Sequence, residues 1–449
     1  MRTDLLTAPI EGLAEAIDPV NGLDHALTHG LLRPSPDAAA ALHALADALA
    51  GTPLAAPVAE AADKAEAGAA GESHFAALAA ARMALFGAVH DALLARADEV
   101  TGRQRAPWPT PEPAEPHAPN LRAAASAWLA ELARSGWRGI SHDLVASSAP
   151  VITAMLPDQR LRRLATLLDG FTAELAASAP GTELDRVPER RWADLWARAT
   201  LLAQPNATAT LPAETVTGRL LPLGIDLHEH ATAAQAQVHA VLEPSDGGAP
   251  RLVRVSVSVA KPDTVVGAGV WQLLRPHLTL LAATGEGRAM DIVDMPLTAG
   301  GDLLWNADQA TPGAAADPFA TARVTLADAI APPVDPLDRH PVHIAEPVFL
   351  ERYNAAEIPF TLDRLPAATP LTPTLIANST ACIGLLRWDA GRFAIQPLAV
   401  ETTVKKKIAA VQAGAWAGST KDAVGAKAEK AADEAVAALR ERAGRLLRK

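Results

Sequence analysis

Up to Pro205 the chain repeats apolar residues at intervals of three and four, and beyond it the interval becomes two. The first spacing is that of an amphipathic helix and the second that of a half-buried strand, so the pattern predicts a helical N-terminal part and a β-rich C-terminal part, an α+β chain. "SPDAAAALHALADALAG" carries the stop and start signals of a helix, with Ser35 as N-cap, Pro36 in the first turn and Gly51 at the close. "ESHFAALAAARMALFGAVHDALLARADEV" keeps the helical spacing for about seven turns. The proline-dense "RAPWPTPEPAEPHAP", residues 105–119, interrupts it, because proline removes a helical donor and holds its predecessor extended. Helical spacing resumes in "NLRAAASAWLAELARSG", with Asn120 expected as its cap, and in "VPERRWADLWARATLLAQ", where Trp192 and Trp196 stand one turn apart as core residues.

The strand-like region opens with "GRLLPLGIDLHEHAT", "AQAQVHAVLE" and "RLVRVSVSVAK", the last two separated by the turn-forming "PSDGGAP". These read as an antiparallel meander. "STACIGLLRWDAGRFAIQPLAVE" reads as a second hairpin with Asp389, Ala390 and Gly391 at its tip, "AGVWQLLRPHLTLLAAT" as a helix, and residues 289–297, 320–327, 342–352 and 358–364 as short strands. From "TTVKKKIAAVQAGAWAG" onward the spacing suggests helix again. The expected organisation is therefore a helical domain over 1–104, a linker or surface crossing over 105–119, a helical segment over 120–206, a β-rich domain over 207–400 and a basic helical tail over 401–449.

Charge sharpens this division. The tail from Lys405 holds eleven basic against five acidic residues, a net of +6, which leaves −17 on the preceding residues out of −11 overall. An acidic body disfavours nucleic acid, whereas Lys405, Lys406, Lys407 and Trp416 of the tail form a candidate contact with an anionic surface, nucleic acid or an acidic protein face. The lone Cys382 excludes an intrachain disulfide and a cysteine-based zinc site, and no signal peptide or uninterrupted apolar span is evident, so a cytoplasmic location is expected.

The densest candidate chemistry is "GIDLHEHATAAQAQVHAVLE". On strands, Asp226, His228 and His230 share one face, as do Gln235, Gln237 and His239 on the next, with Arg254, Ser256 and Ser258 on the third. A tight turn at Thr232 and Ala233 would set Asp226 opposite His239, His228 opposite Gln237 and His230 opposite Gln235. Two readings follow: a solvated or interface sheet face needing no cofactor, or a zinc site of His228, His230 and His239 with a metal-bound water as nucleophile. Other chemistries are weaker. "VVGAGVWQ" lacks the third glycine of a dinucleotide fingerprint, "AGAWAGSTK" lacks the Gly-Lys-Ser/Thr order of a phosphate loop, and "GISHDLVASS" places Ser141, His142 and Asp143 in tandem rather than around a nucleophile elbow. His340 and His343 in "DRHPVHIAEP" read as a strand entry, and Cys382 as a buried inert thiol.

"RWADLWARATLLAQ", "GRLLPLGIDLHEH" and "LLRWDAGRFAIQPL" resemble uncharacterised actinobacterial proteins associated with gene clusters that encode a SWIM zinc finger protein, a MoxR-type AAA+ ATPase and a von Willebrand A domain protein. The resemblance spans about residues 120–400 and carries no site residues. It implies a non-enzymatic adaptor or companion in an assembly whose ATPase is a separate protein partner.

Overall fold

The computed structural model describes residues 6–109, 116–205, 207, 213–230, 232–262, 264–353, 359–404, 407–417 and scattered helical positions between 427 and 445. Among the described residues, nine α-helices fill the N-terminal part: α1 (Leu13–His29), α2 (Pro36–Asp47), α3 (Ala55–Glu66), α4 (Glu72–Thr101), α5 (Pro119–Ser135), α6 (His142–Ala146), α7 (Ala149–Met155), α8 (Arg162–Ser178) and α9 (Glu189–Leu202). Ser35 caps α2 by accepting from the Ala38 amide, as its position requires. The cap of α5 is Ala118 rather than Asn120. Trp192 and Trp196 lie in the core these helices share, and the Trp196 indole donates to the Leu129 carbonyl.

Helix α4 is long and apolar enough to cross a membrane, yet 67% of that window is buried within the fold. The reason is that it serves two cores. Phe75, Leu78 and Phe86 pack among the other helices, whereas Val89, Leu93 and Ala97 pack against a sheet of the C-terminal part. The first half of the 105–119 segment is likewise tied down, since the Ala106 amide donates to the Ala331 carbonyl and the Ala331 amide to that of Gln104.

The β-rich part contains β1 (Ala213–Glu229), β2 (Ala233–Pro244), β3 (Arg251–Ala260), β4 (Arg288–Thr298), β5 (Asp302–Leu303) and β6 (Ala310–Ala315), with α10 (Ala268–Leu273) and α11 (Leu278–Gly285) between β3 and β4. The 17-residue β1 pairs with β2 through its second half and with β4 through its first, so β1-β2-β3-β5-β4 close on one another as a small barrel and β6 extends the edge of β4. Val238, Val255, Met290 and Ile292 fill one face of this sheet together with Trp271 and Leu281 from α10 and α11. The expected single helix there is broken by a 3-10 turn over Arg275–His277, where Pro276 lacks a donor.

A second sheet is formed by β7 (Glu346–Glu351), β8 (Ala381–Asp389), β9 (Arg392–Val404) and β10 (Lys407–Gln412), in the order β10-β9-β8-β7. The β8–β9 turn has positive φ at both Ala390 and Gly391, the geometry that matches a two-residue hairpin to strand twist. Ahead of β7, residues 320–324 fall in α12 (Pro318–Val324) and 325–327 in the turn after it rather than in a strand, because Asp317 accepts from the Phe319 amide and Pro318 takes the first turn. Residues 359–364 make only a bridge, Phe360 to Ile395, and α13 (Pro373–Ala377) precedes β8.

The tail also departs from expectation at its start. "KIAAVQ" is strand β10, paired antiparallel with β9 from Lys407–Val404 to Gln412–Ala399. The free edge of β9 offers this segment a complete ladder, which outweighs the helix propensity of its alanines. The described positions between 427 and 445 are helical.

The two sheets meet face to face where Leu221, Leu223, Val241 and Leu252 pack on Ala381, Ile383 and Ala399. Gly224 makes this approach possible: a Cβ there would stand 2.6 Å from the Leu398 Cβ. Gly224→Val is expected to cost about 1–3 kcal/mol through overpacking. Urea denaturation measures it, and a cost that is simply additive with that of Leu398→Gly, which removes that Cβ, would remove the proposed contact as its cause.

Candidate functional site

The polar strand face becomes a buried junction in the folded protein. The β1–β2 turn is one residue earlier than expected, with the His230 amide donating to the Ala233 carbonyl, so Asp226 pairs with Gln237, His228 with Gln235, and His239 with Gly224. Because the register differs by two residues, every side chain keeps its face. Gln235, Gln237 and His239 lie beside Ser258, Ser256 and Arg254 as expected, and the Gln237 amide donates to the Ser256 hydroxyl.

Only the outer end of this face is wet. His230 and Ser258 are exposed, but Asp226 and His239 are buried where the second sheet covers them. There the face is an interface between the sheets rather than solvated: Arg387 of β8 and Gln396 of β9 reach across and close it. The Asp226 carboxylate accepts from the Arg387 guanidinium and, at 2.7 Å, from the Gln396 amide. His228 Nε2 stands 3.0 Å from the same carboxylate. Arg387 Nε donates to Gln396 Oε1 at 3.0 Å, so the three groups form a closed ring, and Arg387 also donates to the Ile344 carbonyl. Burial pushes the Asp226 carboxyl up, but the His228 hydrogen bond and the Arg387 charge outweigh it and hold the group well below the usual carboxylate range.

The zinc triad is not assembled. His239 lies four residues along β2 from Gln235, the partner of His228, which is roughly 13 Å at strand rise, while zinc-nitrogen bonds are about 2.0–2.1 Å. Among the described residues no group of three or more His, Cys, Asp or Glu side chains converges to hold a metal. His239 is instead enclosed, with neither ring nitrogen hydrogen-bonded among the described residues. Burial pushes its pKa down to about 3; Asp226 pulls the other way, and the Arg254 and Arg387 charges add to the depression.

The junction extends to helix α4. Arg103 donates to the Pro347 carbonyl at 2.7 Å, and Arg105 binds Asp98 of α4 through two hydrogen bonds of 2.9 and 2.8 Å while standing 3.0 Å from Glu346 of β7. Burial raises the Glu346 pKa, but Arg105 and Arg103 bring it below its ordinary value. On the barrel side Arg254 grips Asp302 with bonds of 3.0 and 2.9 Å. Paired ions thus run from α4 through β7 to the barrel.

A second buried knot joins the helical part to the segment before β7. Arg82 of α4 donates to both Asp24 oxygens, at 2.7 and 3.0 Å, and pairs with Asp194 of α9. His340 lies 3.8 Å from Asp194, packs edge-on against Phe86 and accepts the Val342 amide at Nδ1. Burial lowers its pKa to about 3, opposed by Asp194 and reinforced by His343, Arg82 and Arg198. His343 sits beside Arg198 and Asp338, so the pair belongs to the packing of a 3-10 turn against α4 and α9.

The remaining candidates are placed as follows. Ser141 caps α6 through the Leu144 amide. Cys382 is buried, and burial pushes its thiol up to about 12 against the hydrogen bond from Tyr353. Trp416 is half-buried against the barrel core rather than displayed. Lys405 and Lys406 lie outside the described residues, and Lys407 opens β10.

Arg82, Arg387 and Gln396 are among the site residues that no motif in the sequence marks. Each is a polar residue within an apolar run, "AAARMALFGAV", "CIGLLRWD" and "FAIQPLAV", and that incongruity is the signal that could have found them. No protein-family description, curated protein or solved structure matches this chain.

Proposed function

We propose that this chain is a non-enzymatic interaction protein, an adaptor or companion of an assembly built around an AAA+ ATPase. The observation that carries the reading is the inward use of charged groups. Asp226 pairs with Arg387 between the two sheets, and Glu346 with Arg103 and Arg105 next to α4, so these carboxylates are neutralised by arginines and brace the body. The choice of ATPase partner rests on the resemblance of the three sequence blocks above.

The test mixes the full chain with a MoxR-type AAA+ ATPase from the same genome. Co-elution on size exclusion and a saturable binding isotherm are expected. Absence of a complex, together with turnover of a broad substrate panel that is lost on changing a junction residue, would overturn the reading. The zinc-hydrolase alternative through His228, His230 and His239 is addressed by elemental analysis of the same untagged protein. One equivalent of zinc, lost in His228→Ala, would displace the adaptor.

A further inference from the structure

We infer that residues 335–343 form an acid-released strap, which detaches from α4, α8 and α9 when His340 and His343 take up protons while the rest of the fold stays closed. The segment holds two 3-10 turns, Pro336–Asp338 and Pro341–His343, and crosses the helical part just before β7. Its acids grip two arginines: Asp335 accepts from Arg163 of α8 at 3.0 Å, and Asp338 from Arg198 of α9 at 3.1 Å. Arg339 reaches back to Asp91 of α4 at 3.0 Å, and Leu337 packs on the helical core at one end of a groove between α8 and α9. Side chains rather than a backbone ladder thus hold the strap down.

Both histidines serve in it as acceptors. His340 is the N-cap of the second turn and accepts the Val342 amide at Nδ1, 3.2 Å away, which leaves its one proton on Nε2. Nε2 has no hydrogen-bond partner among the described residues; Asp194 Oδ1 stands 3.8 Å off and is already paired with Arg82. The ring is 3% exposed and lies against Phe86. A second proton would have to sit on Nδ1, where it would meet the Val342 N–H donor to donor and place a charge in an enclosed site. His343 receives the Arg198 guanidinium at 3.0 Å, so its protonation would set two cations against each other. The other charges around the turn are engaged: Arg82 with Asp24 and Asp194, Arg198 with Asp194 and Asp338, and Arg387 of β8 with Asp226 and the Ile344 carbonyl. Burial lowers the proton affinity of both imidazoles while the strap is closed.

Once the strap is open, neither restraint acts and each ring titrates near 6.5. Closure is therefore complete above about pH 6.5, and each unit of acidification below it favours opening by about tenfold per imidazole. Opening would strip Arg163 of both its carboxylates, Asp335 and Asp338, and withdraw Leu337 from the groove. Acid would in this way display an apolar and basic surface that is covered at neutral pH.

Hydrogen-exchange mass spectrometry on the full chain reads the amides of Val342, His343 and Ile344, which donate to His340 Nδ1, the His340 carbonyl and the Pro341 carbonyl. Between about pH 7 and 5, above the carboxylate range, their protection corrected for intrinsic exchange should fall about 25-fold through His340 alone, with His343 adding to it. Amides inside α4 and β2 should stay better protected at every pH. His340→Asn keeps an acceptor for the Val342 amide without a titrating group and should remove that factor of about 25, and the double variant with His343→Asn should be flat. A fall of less than about threefold in the parent, a fall undiminished in the double variant, or strap and α4 amides exchanging at one common level would overturn the strap. Should the variants fail to fold, the parent's pH dependence set against its α4 amides still decides.

Discussion

Unfolding by acid should begin well above the carboxylate range, because His239 and His340 are both buried as neutral imidazoles. Their folded pKa values are depressed to about 3, chiefly by burial. An unfolded histidine titrates near 6.5, so between those limits the unfolded chain binds two protons that the folded chain excludes. The sign follows: this contribution is complete above about pH 6.5 and is lost as pH falls toward the folded values. Each histidine contributes a slope of about 1.4 kcal/mol per pH unit, about 2.7 together. Since a domain is stable by only about 5–15 kcal/mol, two to three units of acidification would exhaust much of that reserve. Urea midpoints at stepped pH measure the slope. His239→Leu should lower it by about 1.4 kcal/mol per pH unit and cost little at neutral pH, because it removes two ring nitrogens that have no hydrogen bonds among the described residues. His340→Asn should lower it by a similar amount while still accepting the Val342 amide. A slope unchanged in the double variant would show that other groups govern acid unfolding.

The contrast between these two histidines and the rest of "HEHATAAQAQVH" shows what the sequence could and could not disclose. Alternation alone assigned each side chain to its face, and the two-residue register difference did not disturb that assignment, since strand faces repeat every two residues. The division into a helical part and an antiparallel β-rich part was equally legible, because the spacing changes at one place. What covers the polar face was not. Arg387 and Gln396 lie 161 and 170 residues beyond Asp226, and no local pattern announces so distant a pairing. The same limit explains α12 and β10. In "DPFATARV" a local cap outweighed an apparent alternation, whereas in "KIAAVQ" a neighbouring edge outweighed a helical spacing. Helix α4 was read as one amphipathic element, yet its two halves bury themselves in different cores, a role set by what packs on it.

Asp226→Ala should destabilise the β-rich part by about 3–5 kcal/mol, the usual cost of leaving one partner of a buried ion pair alone. The Arg387 guanidinium would keep Gln396 and the Ile344 carbonyl but lose its only carboxylate partner among the described residues. Its charge would then remain enclosed between two sheets, with Asp226 and Arg387 at 2% and 5% exposure in the parent protein. Replacing both ends tests whether the cost comes from the stranded charge. Asp226→Leu with Arg387→Met substitutes apolar groups of similar reach, and such exchanges are often neutral, so the double variant should recover most of the loss. If Asp226→Ala costs less than about 1 kcal/mol by urea denaturation, the ring is no brace between the sheets. Its pH signature is also distinct. The lowered Asp226 pKa contributes stability that is present above about pH 3.9 and lost as pH falls through the folded value, below most of the histidine window. Asp226→Ala should therefore lower stability at pH 7 without altering the slope between about pH 4 and 6.5, whereas His239→Leu should do the reverse. The two substitutions touch neighbouring side chains of one junction, and only a structure in which Asp226 is paired and His239 is unpaired separates their effects in this way.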